Sequence, residues 1–527
     1  MKETLLIGFS KPFFVLSLVF LGIFSILVAQ DPKERVPSSN ILPSPVDSTN
    51  STEGLPAIPS ANYTFPKAKY FGVSSCATQG CHGAEQTKST KGKEFRIWCE
   101  GDPHFKAYQI LFNDQSKSIA KILNQSRPKN ERVEAHQDHI CLRCHAVPGI
   151  KLDRTEIEFG TQNRILHNDA VLADGVSCEA CHGPAEHWLS AHYQRGWKEK
   201  SLQEKASFGM YPTKDLAFRI TMCTTCHVGQ TAGEDVDHIL YAAGHPPLFF
   251  EYTRSDHQSN YIKHWSESSY GNDYDVRAYA IGQIATLQAQ VALLGSRATN
   301  RLQNDNQAWP EFAEFSCYGC HQTLKPANDF SAPNTAKLFS WATWPRATID
   351  IIQKNHPLFS NSPSPQLSAY HQLCRAMEPS IQSKNGGRIN FPDPKSISEL
   401  SRKTVEELEI WKNDLQRQAF GDAHHRTIPA ASVEKLLRDL VAHQITNNNG
   451  GKLTNTHWES AAQHQLGISS MIYSLAILDR KMVKPDWITA IQEMNRNLNF
   501  SSGYYSPTQY DPNKLFQQLN QLQKKLK

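Results

Sequence analysis

The sequence has no strong excess of charge of either sign. Its 527 residues include 55 Lys and Arg against 51 Asp and Glu, a formal net charge of +4. Because these charges are scattered along the chain, we predict no nucleic-acid partner and no strong attraction to anionic lipid. Long stretches of β-type alternation are also missing, which disfavours a large sheet. We therefore predict a mostly α fold built from helices and loops.

Cysteine is too sparse for a disulfide-stabilised scaffold, because the long chain has only 12. The positions of these cysteines are more informative than their number. Four segments match Cys-x-x-Cys-His, and an additional segment, CATQGCH, has four residues between its cysteines. In chain order, the five motifs are formed by Cys76, Cys81 and His82; Cys141, Cys144 and His145; Cys178, Cys181 and His182; Cys223, Cys226 and His227; and Cys317, Cys320 and His321.

Paired cysteines occur in zinc sites, in redox dithiols and at covalently attached haem. A zinc site does not need a histidine directly after the second cysteine, and a redox dithiol needs one such motif rather than five. At a haem-attachment motif the two thiols form thioether bonds to the porphyrin, and the following histidine binds the iron. We therefore predict five covalently bound haem c groups, with the histidine of each motif as its proximal iron ligand.

One long apolar run, PFFVLSLVFLGIFSILVA, occupies residues 12–29 and follows two lysines. It is long for a signal-peptide core and about the length that spans a bilayer. Residues 1–30 therefore predict either a cleaved signal peptide or an N-terminal membrane anchor, and both alternatives stay open. In either case we expect an exported protein on the periplasmic side, because c-type haem is attached outside the cytoplasm. If the segment is an anchor, it tethers the protein to the inner membrane.

Composition divides the rest of the chain into three parts. Residues 31–66 are rich in Pro and Ser and predict a flexible linker. Residues 67–325 contain every motif, with loops rich in Gly, Pro, Asn and Asp between them. Within this part, residues 275–298 have the spacing of an amphipathic helix. Residues 326–527 contain no motif and form the third part.

The third part of the chain is predicted to be helical. Its segments SISELSRKTVEELEIWKNDLQRQ, ASVEKLLRDLVAHQ, HWESAAQHQLGISSMIYSLAILD and PDWITAIQEMNRNLNF all have helical spacing of apolar residues. Trp411, Trp458 and Trp487 are predicted to anchor its core. We expect these helices to cover residues 67–325, the predicted haem-binding part, or to bind a partner.

The second axial position of each iron separates an electron carrier from a catalyst. A second histidine closes the iron and leaves electron transfer as its function, whereas an open position can bind and transform a small molecule. Histidines are dense in the haem-binding part, and sequence distance does not pair them with particular haems. The residues predicted as second ligands are His104, His187, His245, His139 and His264, with His238 as a further candidate.

Several segments together resemble the multihaem cytochromes related to cytochrome c-554 and, more remotely, to hydroxylamine oxidoreductase. These segments are YFGVSSCATQGCHG, DPHFKAY, GVSCEACHGPAEHW, AAGHPPLFFE and WPEFAEFSCYGCH. The resemblance covers about residues 68–325. It implies short helices and loops wrapped around stacked or edge-on haems, mostly with two histidine ligands, that pass electrons to one another. His104, His187 and His245 match the family's second ligands. The chain departs from the resemblance in having five motifs, where cytochrome c-554 has four, and in its long helical extension.

Three functions are compatible with these features. We expect a pentahaem cytochrome that relays electrons between redox partner proteins, with no catalytic residue. The alternative is a multihaem oxidoreductase of small nitrogen or sulfur compounds with one open haem. The sequence has no Cys-x-x-Cys-Lys motif and no tyrosine in a recognisable porphyrin cross-linking motif, which favours the relay. A haem-bearing scaffold subunit of a respiratory complex, with the helical region as its docking face, is a third interpretation.

Overall fold

The described part of the chain is mostly helical, as the sequence predicts. A computed structural model describes residues 63–85, 91–147, 172–229, 231–253, 271–304, 307–316, 340–377, 380–382, 388–420, 427–446, 458–498 and 510–527. All of them belong to the unit Pro45–Lys527. The apolar run at residues 12–29, His264 and the fifth motif, with Cys317, Cys320 and His321, lie outside the described residues. Of the helices that are described, none has the length and apolar character needed to cross a membrane.

The helices before residue 250 are short. They are α1 (Glu94–Gly101), α2 (Asp114–Leu123), α3 (His139–His145), α4 (Cys178–His182), α5 (Leu202–Ala206), α6 (Leu216–His227) and α7 (His238–Ala242). Helices α3, α4 and α6 each end on a Cys-x-x-Cys-His motif. Asp138 and Asp215 cap the first turns of α3 and α6 by accepting a hydrogen bond from a backbone N–H. Residues three and four apart share one helical face, so both cysteines and the histidine of a motif lie on the same side.

Packing begins within the segment predicted as a linker. The rings of Tyr63 and Phe65 lie against Phe218 of α6, with centroids 5.7 and 5.9 Å from it. The Tyr63 hydroxyl also donates a hydrogen bond of 2.9 Å to Asp215 Oδ2, the cap of the same helix. The chain is therefore attached to α6 before the first motif begins.

The long helix α8 (Tyr274–Gln303) forms the centre of the largest hydrophobic core. It contains the helix predicted at residues 275–298, which is confirmed as a helix, but residues 275–289 are buried on all sides rather than along one apolar face. Ile281, Ile284, Leu287, Val291 and Leu294 are almost completely buried in it. Burial of a side chain of this size stabilises a fold by about 2 kcal/mol, before the entropy lost on ordering the chain is subtracted.

The second half of the chain adds longer helices and one hairpin. The elements are α9 (Ile349–Lys354), α10 (His356–Phe359), α11 (Ser368–Ala376), β1 (Ser380–Gln382), β2 (Arg388–Asn390), α12 (Pro394–Phe420), α13 (Ala430–Thr446), α14 (Trp458–Leu478), α15 (Pro485–Leu498) and α16 (Pro512–Leu526). The short strands β1 and β2 pair antiparallel, with Ser380 opposite Asn390. The four helical segments predicted in this region fall in α12, α13, α14 and α15. Trp411, Trp458 and Trp487 are 1%, 7% and 1% exposed, which confirms them as core residues.

The haem-binding part and the C-terminal helices share one core. Helix α8 packs along α12 and also contacts α6 and α14. The same hydrophobic cluster includes Leu216 of α6 and Leu526 of α16, which lie on opposite sides of the boundary predicted at residue 325. A motif-bearing helix is thus supported directly by the C-terminal helices.

Arg297 of α8 holds together two segments next to haem-attachment motifs. Its guanidinium forms ion pairs with Asp235, which follows the fourth motif, and with Glu314, which precedes the fifth. Glu314 Oε2 also accepts hydrogen bonds from Trp341 Nε1 at 2.9 Å and from Gln290 Nε2 at 2.8 Å. A buried ion pair needs such additional partners, because desolvation of its charges is unfavourable.

Candidate haem sites

The second motif brings His145 opposite His245. Their ring centroids are 6.5 Å apart, with 81° between the ring planes. His145 Nδ1 donates a hydrogen bond of 2.8 Å to the Ala107 carbonyl oxygen, and His245 Nδ1 donates one of 2.8 Å to the Pro246 carbonyl oxygen. Burial is the main cause that lowers the pKa of both imidazoles, so both rings are neutral near pH 7, as a metal ligand must be.

The fourth motif brings His227 opposite His104. Their ring centroids are 6.0 Å apart, with 84° between the planes. His227 also stacks on Phe250, with centroids 5.1 Å apart. Burial, with smaller effects of His104 and His145, lowers the pKa of His227 to about 4. His104 and His227 are far apart in the sequence, because the cysteine pairs of the second, third and fourth motifs lie between them. Only the fold brings the two histidines together.

A carboxylate orients the His104 ring. Asp102 caps the short 3₁₀ turn Pro103–Lys106, because its Oδ1 accepts a 2.9 Å hydrogen bond from the His104 backbone N–H. The same oxygen lies 2.9 Å from His104 Nδ1. Burial lowers the pKa of His104, but the hydrogen bond and the charge of Asp102 raise it more, and the net shift is upward.

The first motif brings His82 opposite His192. Their ring centroids are 6.2 Å apart and the planes are 15° from parallel. His82 Nδ1 lies 3.0 Å from Glu94 Oε2 at the start of α1, and His192 Nδ1 donates a hydrogen bond of 2.6 Å to the Leu189 carbonyl oxygen. The second-ligand prediction did not include His192. Its only signal in the sequence is its position in the histidine-containing segment after the third motif.

These three arrangements fit a haem iron with two imidazole ligands. A metal–imidazole bond is about 2 Å long, so two imidazoles on opposite sides of one metal have ring centroids about 6 Å apart. In five of the six rings, Nδ1 lies within hydrogen-bond distance of a carbonyl or carboxylate oxygen. These oxygens accept the Nδ1 proton, which leaves the Nε2 lone pair available to a metal. The donor atoms therefore fit haem.

The third motif is tied to the segment that precedes the first motif. Glu179, between the two cysteines of the third motif, is 2% exposed. Its carboxylate accepts backbone hydrogen bonds from Phe71 at 3.0 Å, from Gly72 at 2.8 Å and from Ala185 at 2.8 Å. Asp174 Oδ2 accepts a further hydrogen bond of 3.0 Å from the Val73 backbone N–H. These bonds hold the first and third motifs side by side.

The thiols of different motifs lie close together. The thiols of Cys76 in the first motif and Cys178 in the third lie close enough to shift each other's pKa, and so do those of Cys144 in the second motif and Cys226 in the fourth. Cys181 lies near enough to Cys226 for their charges to interact. The first motif is thus adjacent to the third, the third to the fourth, and the fourth to the second.

Residues 75–183, which contain the first three motifs, match the family model of cytochrome c554 and c-prime. This segment is cytochrome c554-like. For this segment the match confirms the resemblance predicted from the sequence, and it supports covalently bound haem c and a role in electron transfer. No curated protein and no solved structure matches the chain.

The histidines that face those of the cytochrome c554-like segment lie outside the segment. His192, His227 and His245 all lie beyond residue 183, where the family match ends. Two of them, His192 and His245, face motif histidines of the segment, and His227 faces His104 within it. The candidate haem sites of the first and second motifs therefore each include a histidine that lies beyond the matched segment.

The other histidines predicted as second ligands are placed differently. His187 Nε2 donates a hydrogen bond of 3.0 Å to the Lys67 carbonyl oxygen, so the nitrogen that would bind a metal points to the backbone. The His139 side chain begins α3 and is 79% exposed, and the His238 ring lies against the edge of Phe312, with centroids 5.9 Å apart. The contacts described for these residues do not pair them with a motif histidine, and His264 lies outside the described residues.

Proposed function

We propose that the chain is an exported pentahaem cytochrome that relays electrons, one at a time, between closely spaced haems with two histidine ligands. The observation that carries the proposal is the spacing of 6.0 to 6.5 Å between the facing imidazoles of the first, second and fourth motifs. The facing imidazoles would hold one haem iron between them and leave no position for a substrate, so the bound haem would supply one-electron transfer.

Each facing pair is assigned to the haem of its own motif. His192 is the second ligand of the first haem, His245 of the second and His104 of the fourth. The described contacts assign no second ligand to the haems of the third and fifth motifs. Of the residues proposed from the sequence, His264 lies outside the described residues, whereas His187 Nε2 binds the Lys67 carbonyl oxygen and His139 is exposed. The facing histidines supply the ligands, and haem supplies the one-electron chemistry when it is bound.

The closeness of thiols from different motifs supports an order in which electrons pass from haem to haem. Each motif cysteine attaches to an edge of its haem, so adjacent thiols bring haem edges together. The first haem is then next to the third, the third to the fourth, and the fourth to the second. We propose that electrons pass along this order, between redox partner proteins that meet the relay on the periplasmic side. The apolar run at residues 12–29 either directs export or anchors the protein to the inner membrane.

Two measurements on the exported protein test this function. Mass spectrometry is expected to find five added haems, and the ferric absorption spectrum is expected to be low-spin and unchanged by hydroxylamine, nitrite or carbon monoxide. A high-spin fraction of about one haem in five, or a response to these ligands, favours the oxidoreductase with an open haem instead. A mature chain without haem would overturn both functions.

A further inference from the structure

The three facing histidine pairs differ in the groups that accept their Nδ1 protons. In the first centre His82 lies 3.0 Å from Glu94 Oε2, and in the fourth centre His104 lies 2.9 Å from Asp102 Oδ1. In the second centre both imidazoles, His145 and His245, donate to backbone carbonyl oxygens. Two centres therefore have a carboxylate behind one ligand, and the second centre has none among these contacts.

We propose that Glu94 and Asp102 are positioning residues that make the irons of the first and fourth motifs harder to reduce than the iron of the second. The inference rests on the proposed function. A carboxylate that accepts the Nδ1 proton makes the imidazole a more basic ligand than a neutral carbonyl does. A more basic ligand, with a negative charge close by, favours Fe(III) over Fe(II). The step affected is the addition of one electron, supplied by the redox partner, to Fe(III).

Both carboxylates are held where they can act. The Asp102 side chain is 7% exposed and is fixed by its second role as the cap of the turn that contains His104. Its charge is therefore poorly screened by water. The Glu94 side chain is 24% exposed and begins α1, which fixes its position relative to His82.

The difference has a consequence for the direction of electron flow. In the order proposed for the four motifs that the structure describes, the second haem is at one end and the fourth haem is its neighbour. If Asp102 lowers the potential of the fourth haem, transfer from the fourth to the second is downhill. Electrons in a partly reduced protein then collect at the second haem, which the proposal identifies as the exit toward the acceptor.

The test compares full-length exported protein with its variants Glu94→Gln and Asp102→Asn. Each variant keeps the size of the side chain and removes its charge. A redox titration followed by haem absorbance is expected to show one haem that is easier to reduce in each variant. We expect a shift of about tenfold in its reduction equilibrium, which equals about 59 mV for one electron. Low-temperature EPR of the ferric protein is expected to show the affected haem still low-spin, with shifted g values.

Glu100→Gln is the matched control. Glu100 lies on the same helix as Glu94, its side chain is 61% exposed, and it pairs with Arg96 rather than with a histidine. This variant is expected to leave every potential unchanged. If Asp102→Asn fails to accumulate because the cap is weakened, Glu94→Gln decides the matter, since its carboxylate is partly exposed.

The possible failures are distinguishable. If the wild type shows low-spin haems and Glu94→Gln shifts no potential, the inference is wrong and the proposed relay stands. An equal shift in Glu100→Gln would also overturn the inference, because any nearby negative charge would then suffice. If the wild type lacks low-spin haems altogether, the proposed function itself fails.

Discussion

His82 and His192 face each other with nearly parallel rings, 15° between their planes and 6.2 Å between their centroids, although a long stretch of chain separates them. The third motif and its surroundings lie within that stretch. The pair forms because Glu179 and Asp174 bind the backbone just before the first motif. The number of residues between two such histidines does not set their distance in space, because the fold supplies the geometry.

Replacement of His192 by Met is expected to alter the first haem alone. A thioether ligand in place of imidazole raises the potential of an iron. One haem in five should therefore shift in a redox titration, with a weak absorption band typical of methionine ligation. His136→Met is the control, because the His136 ring stacks on Phe112, 4.4 Å away, and is not assigned to an iron. Identical spectra for His192→Met and the wild type would remove His192 from the ligands.

Replacement of Arg297 by Met is expected to destabilise the fold strongly. The change leaves the buried carboxylates of Asp235 and Glu314 without their cation, and removal of one partner from a buried ion pair typically destabilises by about 3–5 kcal/mol. Urea unfolding followed by far-UV circular dichroism measures the decrease in the free energy of unfolding.

The control for Arg297 is Arg402→Met. Arg402 and Glu406 form an exposed pair on α12, with side chains 62% and 60% exposed, and such pairs contribute about 0.5 kcal/mol or less. Equal losses in the two variants would contradict the role given to the buried pair.

Replacement of Gly467 by Ala is expected to destabilise the contact between α8 and α14. A Cβ at Gly467 would overlap Tyr279 Oη, so the helices must move apart or the ring must shift. Overpacking of this kind destabilises by about 1–3 kcal/mol, although alanine is otherwise the better residue inside a helix. The midpoint of urea unfolding measures the effect, and Tyr279→Phe in the same chain should restore part of the stability. If Gly467→Ala alone is as stable as the wild type, the helices do not approach so closely.

Acid is expected to weaken the packing of α13 on α14 through His464. Its Nδ1 donates to the Ser460 carbonyl oxygen at 2.9 Å, and its Nε2 lies 3.1 Å from His443 Nδ1. Burial, and next the neighbouring His443, lowers the pKa of His464 to about 4. Asp350 and Lys354 of α9 are the charged groups that act on His443.

The sign of the effect follows from linkage. The pKa of His464 is lower in the folded chain than the ordinary value of 6.5, so the unfolded chain binds more protons between these values and stability falls as the pH falls. The shift corresponds to at most about 3 kcal/mol. His464→Gln should flatten the loss of stability between pH 7 and pH 5, measured by urea unfolding, whereas His371→Gln should not. A steeper loss in His464→Gln than in the wild type would contradict the assignment.

Much of the haem chemistry is readable from the sequence because it is local. Two cysteines and a histidine within five or seven residues predict an attachment site whatever the rest of the chain does. The helices α8, α12, α13, α14 and α15 and the three buried tryptophans are predictable for a similar reason, because apolar residues at helical spacing must be buried together. Asp102 is partly predictable, since an aspartate before Pro103 is a typical helix cap.

The assignment of second ligands is different, because it depends on segments distant in sequence. His187 and His192 lie close together after the third motif, and their spacing alone does not separate a ligand from a backbone hydrogen bond. Only the packed chain turns His192 toward His82 and His187 toward the Lys67 carbonyl oxygen. The placement of Glu94 behind His82 likewise requires α1 to pack against the first motif.

The sequence by itself determined the five candidate attachment motifs, because covalent attachment and proximal ligation need only neighbouring residues. The tertiary structure decided which imidazoles face each other, which thiols of different motifs lie close together, and which facing pairs have a carboxylate beside one ring. These relationships depend on distances of a few ångströms between segments far apart in the chain, and they arise only when burial and hydrogen bonding fold those segments against one another.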